Sequence, residues 1–198
     1  MDALTQQLIQ QLAGEGITQI SRKIGADENT TNAALSAALP LLVSALAKNA
    51  SKAEGAQSLN QALAKDHDGS ILNDMPAYLE NPAVANGAKI LGHVLGNQMP
   101  VVEKGLAKGT GLNSEQVDQL LQIAAPLLLG ALGKQQQQKG LDPNGLSAYL
   151  GSQKQQDQDS APDLMGTLNT LLDADKDGSA LDDVIGMAAK LFGDKPKS

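Results

Sequence analysis

The segment GADENTTNAALSAALPLLVSALAK, from Gly25 to Lys48, returns without a gap as GLNSEQVDQLLQIAAPLLLGALGK, from Gly111 to Lys134. Identical residues include Gly25/Gly111, Leu35/Leu121, Pro40/Pro126, Leu42/Leu128 and Leu46/Leu132. Leucine matches arise easily in a leucine-rich chain, but a shared proline inside an apolar run does not. An internal duplication therefore predicts two equivalent long helices. The core has to be built around these two apolar rods, and no segment shows the alternation that a strand would need.

Each copy carries its own start signal and its own apolar face. Asp27 with Thr30, and Asn113 or Ser114 with Gln116, can satisfy the free amides of a first helical turn. Leu35, Leu39, Leu42 and Leu46 then form a heptad-like stripe, with alanines, Leu41 and Val43 filling its flanks. So little polar surface is left that burial on most sides is expected. Pro40 and Pro126 each remove one backbone hydrogen bond, at a cost of about 3 kcal/mol in an exposed helix. They predict a kink at the same place in both copies and a packing of the two helices about an approximate two-fold axis.

Shorter helices follow from apolar spacing and from Gly, Pro and Asn punctuation: 2–13, 17–24, 53–65, 71–80, 83–97, 100–108 and 144–151. The expectation is an all-α protein, with an internally duplicated helical domain over 1–151 whose repeat cores are 17–63 and 103–150. The polar stretch GSQKQQDQDSAPD predicts a linker over 152–161. A C-terminal helix-loop-helix hairpin over 162–198 has too little core to fold alone, so it is expected to dock on the main domain or another subunit. The run Lys134 to Lys139 reads as the solvated end of the second long helix.

Composition narrows the chemistry. The 198 residues include no cysteine, which excludes thiol nucleophiles, disulfides and cysteine-bound metals. Aromatic residues reach 2%, so small and branched aliphatic side chains must supply the packing. The net charge of −7 opposes a nucleic-acid surface. A helix-turn-helix reading of Gln19 to Leu39 fails on the same ground, because residues 27–47 contain no Lys or Arg. The first residues lack a signal sequence and no membrane span is expected, so a cytoplasmic location is expected. Export by a route without a signal peptide is compatible with the same residues.

Two acidic loops also echo each other. DHDGSILND, from Asp66 to Asp74, matches DKDGSALDD, from Asp175 to Asp183, in the pattern DxDGSxLxD. An EF-hand loop takes ligands at positions 1, 3, 5, 7 and 9, glycine at 6 and an acid at 12. Counted from Asp173, the second loop supplies Asp173, Asp175, Asp177, Gly178 and Ser179. Position 12 is Val184, so Asp182 or Asp183 would have to close a shortened site. The first loop is poorer: Ala64 replaces the leading acid, leaving Asp66, Asp68 and Asp74 with Ser70. The same letters also make a turn and a helix cap, through Asp, Gly and Ser alone. Three carboxylates at alternating positions go beyond that requirement, and calcium is the expected cofactor.

His67 and His93 are the only histidines. His93, in GAKILGHVLG, reads as a surface or satisfied core residue, and His67 as solvent-facing within the turn. No Ser-His-Asp order, paired glutamates or phosphate loop accompanies them, and the chain is expected not to be an enzyme.

Together, AAPLLLGALGK, DHDGSILND, KILGHVLG and DADKDGSALDDVIGMAAKLFG resemble the bacterial domain-of-unknown-function 937 family over nearly the whole chain, with a more distant likeness to YidB-like proteins. The resemblance implies a helical, Ala- and Leu-rich bacterial protein and carries no catalytic residues. Two functions compete. One is a non-enzymatic binding or assembly protein, a homo-oligomer or a partner of another protein, with calcium in the acidic loops. The other is a self-associating scaffold in which those loops are only turns and caps. The second is motivated by the all-round apolar character of Leu35–Leu46 and Leu121–Leu132, which is more than one small domain is expected to cover.

Overall fold

Gly25 and Gly111 take the left-handed backbone, with φ of 67° and 78°, and each ends the helix before it. Two residues later Asp27 and Asn113 turn to extended backbone and accept hydrogen bonds from the amides of Thr30 and Gln116, both at 2.9 Å. Gln116 also returns its side chain to the Asn113 amide at 3.0 Å, so Asn113, not Ser114, is the cap and the box is complete. These caps launch the two long helices at corresponding residues of the repeated segment.

The computed structural model describes residues 3–160. In chain order the helices are α1 (Ala3–Leu12), α2 (Glu15–Ile24), α3 (Glu28–Ala50), α4 (Ala53–Asp66), α5 (Met75–Glu80), α6 (Gly87–Val94), α7 (Met99–Thr110), α8 (Ser114–Lys139) and α9 (Pro143–Ser160). Tight 3-10 turns occupy Ser70–Leu72, Pro82–Ala85 and Gly96–Gln98. There is no strand among the described residues, and the all-α expectation holds. The helices expected over 71–80 and 83–97 each divide, because Asn73, Asn86 and Gly96 interrupt the apolar spacing. Helix α9 runs through 152–160, where a linker is expected from the polar composition. Gln153 accounts for part of this: it is buried and accepts the Leu4 amide at 3.3 Å, tying α9 to the start of α1. The expected hairpin over 162–198 lies outside the described residues.

Helices α3 and α8 pack on each other and share the centre. α1, α2, α4, α6 and α7 pack around both, and α9 packs on α3 and α4. Leu35, Leu39, Leu42, Leu46, Leu121, Leu128 and Leu132 are all buried within the one chain. Val84 is the one large apolar side chain that is strongly exposed among the described residues. The chain thus covers by itself the apolar surface that motivated self-association. Helix α3 is also long and apolar enough to cross a bilayer, with a mean hydropathy of 1.4, yet 67% of that window is buried by neighbouring helices. Its hydrophobicity is that of a core helix.

Both prolines lie inside continuous helices. Pro126 leaves the Gln122 carbonyl without its usual donor, and Gly87 at the start of α6 packs directly against that carbonyl. A Cβ on Gly87 would stand 2.8 Å from the carbonyl carbon and closer still to the oxygen. Only a glycine lets the two backbones approach this way.

Candidate functional site

The loop after α4 shows what Asp66, Asp68, Ser70 and Asp74 do in the fold. Asp66 is the last, exposed residue of α4. Asp68 accepts the Ser70 amide at 2.9 Å, across Gly69 with φ of 95°. The Ser70 hydroxyl first, and its amide second, hold the Asp68 carboxyl below its ordinary range. Asp74 caps α5, accepting the Ala77 amide at 3.3 Å. Two of the three carboxylates are thereby engaged as turn and cap. Among the described residues no three His, Asp or Glu side chains come together as a metal-holding group. Asp173, Asp175, Asp177, Ser179, Asp182 and Asp183 lie outside the described residues.

The loop is held against α8 by glycines. A Cβ on Gly133 would meet the His67 carbonyl group, one on Gly130 the Ile71 side chain, and one on Gly69 the Lys134 side chain. In the second repeat copy Gly130 and Gly133 therefore serve as a seat for the turn, and the turn in its place orients His67.

His67 faces a groove formed where the end of α3, the length of α4, the second half of α6 and Leu129 of α8 meet. Its volume is about 760 Å³. Leu46, Leu59, Ala62, Ile90, Val94 and Leu129 supply the apolar surface, and Lys48, Lys52, His67 and His93 the basic groups. No Asp or Glu is among the lining residues. Asn49 braces the far wall by donating its amide to the His93 and Val94 carbonyls at 3.3 and 3.0 Å. Burial lowers the pKa of His67, opposed by the nearby Asp66 charge.

His67, read from sequence as solvent-facing, is half-buried and shares the groove with His93, which is exposed. Neither imidazole hydrogen-bonds a serine or a carboxylate among the described residues, and the Ser51 hydroxyl is engaged with the Lys48 carbonyl at 2.7 Å. The groove went unseen in the sequence because its walls come from segments between Leu46 and Leu129 that share no motif. The one available signal was that KILGHVLG breaks an apolar helix with a histidine.

Fold and site together define an all-α protein with two proline-containing central helices and an open, basic-rimmed apolar groove. The chain belongs to the family described as bacterial protein of unknown function, DUF937, whose model matches residues 6–135. That span contains every residue lining the groove. No curated protein and no solved structure matches the chain.

Proposed function

We propose that this chain is a non-catalytic helical binding protein whose ligand site is the groove between α3, α4 and α6. The observation that carries the reading is that both histidines and two lysines meet around a cavity of about 760 Å³ that no Asp or Glu lines, with Asp66 acting on His67 from outside the lining. That volume lies within the roughly 300–1,000 Å³ of small-molecule sites. Non-catalytic action is supported by the composition of the lining: two imidazoles without an orienting carboxylate or an activated nucleophile.

The test is a protein NMR titration with small apolar and amphiphilic compounds. Shifts that cluster on Leu46, Leu59, His67, Ile90, His93 and Val94 are expected. A pattern centred elsewhere, or none, overturns the proposal.

Calcium binding belongs to the same proposal at one place only, the loop from Asp173 to Asp183. Its support is the run of three carboxylates at alternating positions, which repel one another without a cation. The loop from Asp66 to Asp74 is assigned the role of turn and cap. Calorimetric titration of calcium into metal-stripped protein should give heat that Asp175→Ala/Asp177→Ala removes and Asp68→Asn leaves in place. Absence of heat in the parent protein refutes calcium binding.

A further inference from the structure

The charge of the groove is opposite to that of the molecule. In a chain with 22 acidic and 15 basic residues, two lysines, both histidines and no acid line it. Two of these basic groups have a local explanation. Lys48 and His93 lie in the last turns of α3 and α6, the end of a helix at which basic residues are favoured.

Lys52 has no such explanation. It is the N-cap of α4, with extended backbone, and no side chain caps that first turn. Ser, Thr, Asp or Asn is preferred there because its oxygen accepts a free amide, and α3 and α8 follow that rule with Asp27 and Asn113. A lysine instead adds positive charge to the positive end of the dipole. Glu54, the acid of that first turn, does not line the groove. An anion resting at the rim would satisfy this charge, while the leucine, isoleucine and valine side chains below it offer only apolar contact.

The size of the surface separates a small ligand from a protein. A protein partner needs about 800 Å² from each side. With Val84 the one strongly exposed large apolar residue among the described residues, the surface offers little apolar extension of the groove.

Resting on the binding function assigned above, we infer that the groove takes a single-chain anionic amphiphile. Its acyl chain lies on Leu46, Leu59, Ile90 and Leu129, and its anionic head sits by Lys52 and the two histidines.

The experiment is calorimetric titration of the full chain with laurate, dodecyl maltoside and dodecyltrimethylammonium, all below micelle formation. These probes share one alkyl chain and differ in head charge. Laurate should bind at one equivalent, with a Kd at least about ten-fold below those of the other two, as expected for one charge-assisted contact. Lys52→Glu and His93→Glu change exposed residues and should each weaken laurate by about ten-fold. Lys89→Glu, on α6 but outside the groove, should not. Equal binding of all three probes, abolished by Leu59→Asp, would overturn anion selection and leave the groove as an apolar site. Failure of all three to bind would overturn the binding function as well. Preference for a synthetic peptide of residues 162–193 over laurate would assign the groove to the chain's own acidic segment and overturn the inference.

Discussion

Replacing Gly133 by alanine separates two opposing effects at one atom. In a solvent-exposed helix the change is favourable by roughly 1 kcal/mol, because glycine loses more backbone entropy than alanine on folding. At Gly133 the new methyl would lie 2.9 Å from the His67 carbonyl carbon and nearer to its oxygen. Both obstacles are backbone, so no side-chain rotation relieves the overlap. The turn has to withdraw from α8 by something on the order of 1 Å. Overpacking of this kind costs about 1–3 kcal/mol; two backbone overlaps put Gly133 at the upper end of that range, which leaves a net loss of about 2 kcal/mol after the helix gain. For a chain of this length that is a fall in Tm of about 4–8 °C. Gly92→Ala and Gly109→Ala are the matched controls, since a Cβ at either position meets nothing within 4 Å. They should leave Tm unchanged or raise it. Thermal unfolding with urea midpoints as a second measure would decide the matter. If Gly133→Ala proves as stable as Gly92→Ala, the close seating of the turn on α8 is wrong, and with it the account of how His67 reaches the groove.

Two further predictions test burial and charge. The Ser44 hydroxyl is buried without a hydrogen-bond partner, so Ser44→Ala should be neutral or stabilising by up to about 1 kcal/mol in urea unfolding. A loss above that would show that the hydroxyl has a partner. The second concerns pH. His67 has a folded pKa below its ordinary 6.5, because burial disfavours the imidazolium. Its contribution to stability is complete above 6.5 and is lost as pH falls through the folded value. The hydrogen bonds from Ser70 likewise depress Asp68, so its contribution is present above the ordinary 3.8 and is lost as pH falls through its folded value. Urea midpoints measured across pH should therefore decline in two windows, with His67→Gln flattening the upper one and Asp68→Asn the lower.

The acidic turn shows how far local sequence can be read. Asp, Gly and Ser in DHDGS specify a tight turn by chemistry within five residues, and Asp68, Gly69 and Ser70 form that turn. The same letters count as calcium ligands only if Asp66, Asp68 and Asp74 converge. That depends on where α4 ends and where α5 begins, since Asp74 is drawn to the Ala77 amide. The helix caps were legible for a similar reason, as Asp27 and Asn113 act on amides three residues away. The polar tail of α9 was not, because Gln153 finds its partner on Leu4, at the other end of the described chain.

Sequence alone determined that this protein is helical, that two leucine-rich, proline-bearing helices form its centre, and where each of them starts. Those properties rest on 3.6-residue periodicity, on caps and on left-handed glycines, all of which act within a turn or two of the backbone. Only the tertiary structure decided that one chain covers both helices, that Gly87, Gly130 and Gly133 are points of backbone contact, and that Lys52, His67 and His93 share a groove. Burial and pocket formation depend on which distant surfaces meet, and a run of apolar or basic letters does not name its neighbours.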